Sequence, residues 1–143
     1  ASIHWGDNWG YQIPREQTRF AHQLIDEAGV DVVHGHSSHR AKGIEVYVTH
    51  FYGCGDFLND YEGIGGYEQY RDDLALLYFV SMDPVTGKLA HLNMTPMQIR
   101  RFRLNRASPQ DARWLRDTLD REGQRLGSRV ELNEGHRLML RWE

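Results

Sequence analysis

Residues 30–39, Val-Asp-Val-Val-His-Gly-His-Ser-Ser-His, constrain the fold more than any other stretch of the chain. A mostly apolar, β-branched run fits a strand buried on both faces, and it stops at three histidines, His34, His36 and His39, gathered around Gly35. Upstream, residues 2–5 (Ser-Ile-His-Trp) read as another short strand. Between the two, Phe20, Leu24, Ile25 and Ala28 recur at helical spacing. Pro14 suits the first turn of that helix, where a missing N–H costs least, and Gly29 suits its end. Strand, helix and strand in this order imply a right-handed crossover between parallel strands. Ligands of such sheets sit beyond the carboxyl ends of the strands. His4-Trp5-Gly6 and His34-Gly35-His36 each occupy such an end.

The rest of the chain adds strands around this unit. Residues 43–51 alternate around Ile44, Val46 and Val48 and lead into Tyr52-Gly53-Cys54-Gly55-Asp56-Phe57, where glycines allow close backbone approach. Residues 58–66 read as a polar, Gly-rich loop. Residues 72–82 and 88–94 read as antiparallel strands joined by the turn Asp83-Pro84-Val85-Thr86-Gly87, and residues 99–104 as a further short strand. Ser108-Pro109 caps and opens a helix to about residue 125, with Trp114, Leu115, Leu119 and Leu126 on its inner face. Residues 130–132 and 137–142 close as a hairpin across Asn133-Glu134-Gly135-His136. Without internal repeat or linker, one α/β unit is the economical fold.

Composition narrows the function classes. A chain of 143 residues that is 40% hydrophobic can bury a sizeable core as a single domain. A formal net charge of -3 gives no reason to expect a nucleic-acid partner. Cys54 is the only cysteine, so no intrachain disulfide can form. No signal peptide is recognisable, and no apolar run approaches membrane-spanning length. There is no phosphate-binding Gly-Lys-Ser/Thr loop and no dinucleotide glycine pattern after the first strand. The strand at residues 2–5 has nothing before it to pair or cover it, so the chain reads as the C-terminal part of something longer.

The histidines carry the chemistry. A catalytic divalent metal needs neutral imidazoles or carboxylates converging from separate loops, with one position open for water or substrate. His4, His34, His36 and His39 meet that need if the first two strands are neighbours. Asp56 suits three roles: a direct ligand, an acceptor that orients an imidazole, or the cap of a turn. His4, His36 and Asp56 are the catalytic candidates, and Asn8, Asn59 and Asp60 the candidates for substrate contact. The alternative for the cluster is a loop whose imidazoles bond to backbone or to one another. His22, His91 and His136 lack evident partners and read as structural, as does His50, in a strand beside Thr49. Tyr61, Tyr67 and Tyr70 read as packing residues, and Cys54 as a small buried residue rather than a nucleophile. Arg100-Arg101-Phe102-Arg103 reads as an exposed strand alternating its faces, with an anion site as the lesser alternative.

These same residues resemble the bacterial CapA family of capsule-synthesis, or poly-γ-glutamate-synthesis, proteins. The likeness runs from His4-Trp5-Gly6 through Phe20-Ala21-His22-Gln23-Leu24-Ile25 and residues 29–39. It continues through Lys42-Gly43-Ile44-Glu45-Val46-Tyr47 and residues 52–58, and in detail it covers residues 2–70. It implies an α/β, metallophosphoesterase-like layered sandwich with mixed sheets, incomplete at the N-terminus. Residues 1–143 would then be the C-terminal part of one domain, with a metal-site half at 1–70 and a strand-rich tail with a closing helix at 71–143. The resemblance further implies two divalent metal ions, manganese, iron or zinc, at the strand ends. His4 matches the family's histidine before Trp-Gly, and Gly35, His36 and His39 match its Gly-His-x-x-His pattern. Ser37-Ser38 stand where His-Pro is usual, and His34 is the residue that would compensate. The remaining ligands would come from preceding segments or another copy.

The implied activity is that of a metal-dependent hydrolase or transferase acting on a small-molecule or polymer substrate. The alternative is a non-catalytic surface-polymer assembly or binding subunit. Membrane machinery of the bacterial cell envelope is an implied partner.

Overall fold

The computed structural model describes residues 1–47, 50–57 and 65–142. Strand β1 (Ser2–His4), helix α1 (Arg15–Asp26) and strand β2 (Val33–His36) form the expected crossover unit. β1 and β2 pair in parallel, with Ser2 opposite His34, Ile3 opposite Gly35 and His4 opposite His36. β4 (His50–Phe51) continues the sheet in parallel on the far side of β2, and β3 (Ile44–Glu45) closes it antiparallel to β4. The order is β1-β2-β4-β3.

Several boundaries differ from the sequence reading for local reasons. Pro14 caps α1 from an extended conformation rather than lying in its first turn. Ala21 is fully buried against Val33 and Tyr52, whereas Phe20 is 47% exposed. The small side chain packs between helix and sheet, and Phe20 meets Trp5 edge-on. β2 starts at Val33 rather than at residue 30, because the Val30 N–H still donates to the Leu24 carbonyl as part of the helix end. Residues 43–51 are two short paired strands and not one; residues 48 and 49, like the loop at 58–64, lie outside the described residues.

The second sheet follows the order β5-β6-β9-β8, with β7 also paired to β6. Its strands are β5 (Leu74–Met82), β6 (Leu89–Arg100), β7 (Arg103–Arg106), β8 (Ser128–Leu132) and β9 (Leu138–Trp142). β6 runs past residue 94 because Met94, Thr95 and Pro96 are all buried and pair onward with β5. The stretch 99–104 is therefore not a separate strand: Ile99 and Arg100 end β6, Arg101 and Phe102 form the turn, and Arg103 and Leu104 begin β7. Helix α2 (Pro109–Gly123) opens on Ser108, whose Oγ accepts from the Asp111 N–H at 3.2 Å. It buries Ala112, Leu115, Thr118 and Leu119, while Trp114 and Leu126 are half-buried. One apolar cluster joins the two sheets: Ile44, Phe51 and Cys54 pack with Leu74, Leu76, Leu92, Met94, Leu115 and Leu138. Ser128 Oγ donates to the Ile44 carbonyl at 2.6 Å and ties β8 to the first sheet. Among the described residues no helix is long and apolar enough to cross a membrane.

Candidate metal centre

Side chains alternate across a strand, and in β2 this separates structure from chemistry. Val33 and Gly35 are buried, with Val33 packed against α1, while His34 and His36 are more accessible. The parallel register places Ser2 beside His34 and His4 beside His36. The His4 and His36 rings lie 5.3 Å apart at 68°, and the His34 and His36 rings 5.8 Å apart. Ser2 Oγ is 3.1 Å from His34 Nδ1. Partial burial lowers the His34 pKa, and the neighbouring His36 acts in the same direction. Both effects favour the neutral imidazole that metals bind.

The spacing suits a shared ion. Metal–nitrogen bonds of about 2.0–2.1 Å at a tetrahedral angle put two imidazole centroids about 5 Å apart. His4 and His36 therefore fit as two members of a ligand set. Among the described residues no three His, Cys, Asp or Glu side chains converge closely enough to hold a metal by themselves. A metal on this pair would need further donors.

His39 and Asp56 form a second element. His39 Nδ1 lies 2.9 Å from Asp56 Oδ2, both side chains being mostly buried. An Nδ1–H donated to the carboxylate leaves Nε2 with its lone pair, the arrangement that orients ligand histidines. Of the three roles open to Asp56, this contact matches the acceptor that orients an imidazole. Ser37 adopts φ 112°, rare for a residue with a side chain. Its Oγ donates to the Gly6 carbonyl at 2.9 Å and the His39 N–H donates to the Asn8 carbonyl at 3.2 Å. The turn after β2 is thus stitched to the loop after β1. Asn8 is exposed on that loop. Asn59, Asp60 and Tyr61 lie outside the described residues.

Two cations in this region carry a role that the sequence reading did not assign. Arg40 is 3% exposed and Lys42 1% exposed. Arg40 donates to the Gly10 carbonyl at 2.6 Å and the Asn8 carbonyl at 3.5 Å, and its guanidinium sits among Tyr70, Tyr11 and Trp9 at 4.1, 4.9 and 5.4 Å. Lys42 Nζ donates to the Asp7 carbonyl at 3.3 Å. Burial lowers the pKa of both groups, and Arg40 adds to the effect on Lys42. Together they hold the carbonyls of the loop that follows His4-Trp5. The chain itself shows only that Ser38, Arg40 and Lys42 alternate; the structure buries all three, with Ser38 and Lys42 against Gly53.

The remaining candidates separate cleanly. His22 bonds to Glu45 Oε2 at 3.1 Å and stacks on Tyr47, a structural role. His91 is exposed, and His136 occupies a turn at φ 55°. The His50 side chain lies outside the described residues. Tyr67 stacks on Trp9 at 4.0 Å, so it packs as expected, with Tyr70 on Arg40. Cys54 is buried and its thiol is pushed up to about 12, which keeps it protonated and unreactive near neutrality. Beside His34 and His36 lies a groove of about 460 Å³ whose floor includes Phe51, Phe57, Leu76 and Tyr78.

Comparison with known proteins bears on this arrangement. Residues 1–61 match the profile of PGA_cap, the bacterial capsule synthesis protein family. Two curated relatives from Mycobacterium tuberculosis, of the CDC 1551 / Oshkosh and ATCC 25618 / H37Rv strains, are each named "Probable polyglutamine synthesis accessory protein". Each is 52% identical over 131 residues, covering 90% of this chain and 34% of the relative. The chain thus spans about a third of the length of the curated relatives it matches. The matched segment contains His4, His34, His36, His39 and Asp56, and the chain belongs to the CapA-like bacterial capsule synthesis protein family.

Proposed function

We propose that this chain supplies the histidine wall of a metal-dependent hydrolase or transferase of the metallophosphoesterase type, working in capsule or poly-γ-glutamate synthesis. The observation that carries the reading is the in-register pair His4 and His36, with rings 5.3 Å apart at the carboxyl ends of two parallel strands. The family and the names of its relatives support the polymer pathway. A metallophosphoesterase-like layered sandwich is the proposed architecture of the whole domain, with α1 covering one face of the histidine sheet.

In this reading His4 and His36 hold the metal, His39 joins them with Asp56 setting its ring, and His34 stands in reserve. Asn8, Asn59 and Asp60 would contact substrate. Two divalent ions, manganese, iron or zinc, would supply an activated water and neutralise developing negative charge when bound. The further donors would come from the rest of the protein or from a second copy. A small-molecule or polymer substrate is the proposed partner, with membrane machinery of the cell envelope alongside.

The test is metal content and phosphodiester hydrolysis in the full-length protein. Stoichiometric metal that is lost in His36→Ala, together with turnover lost in the same variant, is the expected result. Metal-free wild-type protein would overturn the reading. A second reading, a polymer-binding subunit without turnover, draws on the absence of a complete ligand group among the described residues. Retained metal and polymer binding with no hydrolysis of any phosphoester or amide substrate would favour it.

A further inference from the structure

The hairpin joining β6 to β7 carries features that the histidine site does not require. Its loop is two residues, Arg101 and Phe102, both left-handed at φ 55° and 54°. Such turns favour asparagine and glycine, because a β-carbon is strained at positive φ. Phe102 is 68% exposed at the tip. Behind the turn Arg100 and Arg103 stand directly opposite each other, a like-charge pairing that destabilises a ladder. Gln98 and Asn105, also directly opposed, continue the same face. Ile99 and Leu104 take the other face and are half-buried. Because the β5 ladder starts where Leu74 meets Gln98, the tip projects beyond the edge of that pairing.

Arg100, Arg101 and Arg103, with Gln98 and Asn105, line an open groove of about 640 Å³. Among the described residues none of the three arginines forms an ion pair. The lining residue Gln98 donates to Asp73 Oδ2 at 2.9 Å, and that carboxylate is already engaged by Arg71 through both oxygens. Asn105 Nδ2 donates to the carbonyls of Gln98, Arg100 and Arg103 and braces the tip. A chain with a net charge of -3 thus gathers three cations around one groove, at a local cost in both turn conformation and charge repulsion. Such costs accumulate where a site is kept for binding.

We propose that this groove holds an anionic polymer through its oxyanions, with the carboxylates of polyglutamate as the occupant. Guanidinium groups take carboxylates in a planar, two-bond geometry. Three in one groove match charges repeated along an extended chain better than a single small anion. The arginines line a concavity in which a chain can lie, whereas a flat bilayer would meet Phe102 first. The choice of polyglutamate rests on the capsule-synthesis reading above; the preference for repeated oxyanions rests on the groove alone.

Anisotropy of labelled poly-γ-glutamate titrated with the full-length protein tests the assignment. The double variant Arg100→Gln/Arg103→Gln, checked for an unchanged melting transition, should bind at least about tenfold more weakly and with a shallower salt dependence. Phe102→Ser should change affinity by less than about twofold, and a neutral polyglutamine peptide should not bind. Equal binding by wild type and double variant would overturn the site. Arginine-dependent binding of polyphosphate without binding of polyglutamate would overturn the occupant. Phe102-dependent binding to phosphatidylglycerol vesicles, with no polymer bound, would replace the polymer with a bilayer. Metal content of His36→Ala is read separately, so failure of either assignment leaves the other standing.

Discussion

Gly35 and Trp5 are packed so closely that a β-carbon on Gly35 would lie 2.3 Å from the indole Nε1. The same atom would lie 2.6 Å from the Tyr52 carbonyl and 2.7 Å from that of Phe51. The indole N–H already donates to the Tyr52 carbonyl at 3.1 Å. Position 35 must therefore lack a side chain for β1, β2 and the segment after β4 to close together. That closure is what puts His4 level with His36.

Gly35→Ala should destabilise the fold by about 2–3 kcal/mol, since two of the three obstructing atoms are backbone. Denaturant unfolding of the two proteins measures it. A loss below about 0.5 kcal/mol would show that the strands part without penalty.

Arg40 is the support of the Asn8–Gly10 carbonyls. Arg40→Met should cost about 2–4 kcal/mol, because two carbonyl bonds and the packing among three aromatic rings disappear together. Arg40→Lys should recover little of this, lacking the planar fork. Hydrogen exchange at residues 6–10 should quicken in both variants. Full rescue by lysine would reduce the role of Arg40 to its charge.

If Asp56 orients His39, its removal should weaken metal binding without abolishing it. Asp56→Ala should lower affinity by about 10- to 100-fold in the full-length protein. Asp56→Asn should recover part of that, since an amide oxygen still accepts from Nδ1. Metal titration calorimetry separates these outcomes, and unchanged affinity in the alanine variant would remove Asp56 from the centre.

Arg71 links the start of β5 to the first turn of α2, bonding Asp73 at 2.7 and 3.0 Å and Asp111 at 2.8 Å. Burial alone would raise both carboxyls, but hydrogen bonds from Arg71, Gln98 and Ser108 hold them below the ordinary carboxylate value. A depressed folded pKa contributes stability that is present above the unfolded value near 3.8 and is lost as pH falls through the lower folded one. Acid unfolding should therefore set in below about pH 4, and Asp111→Asn should flatten the stability curve there. At neutral pH the same variant should lose about 1 kcal/mol as the cap contact weakens. An unaltered acid limb would place the acid sensitivity elsewhere.

Much of the metal-site half was legible in the chain itself. β-Branched residues ending in histidines marked a strand end, and a helical period between two such ends implied a parallel crossover. Local patterning could carry this because periodicity records which face is buried. It misassigned Phe20, because the choice of which of two neighbouring residues is buried is made by the opposing sheet. It ended β6 too early, because the burial of Thr95 and Pro96 depends on β5 and not on their own polarity.

The sequence by itself determined which residue types stand at the strand ends and hence the kind of chemistry available there. Only the tertiary structure decided that His4 and His36 share a register position, since the register depends on how Gly35 packs against a tryptophan 30 positions away. It also decided that Arg40 and Lys42 are interior supports while Arg100 and Arg103 oppose each other on a projecting hairpin. Residue type alone does not separate these four basic residues. Burial and cross-strand pairing are set by distant partners, and those distinguish a cation that holds a loop from one left open to a ligand.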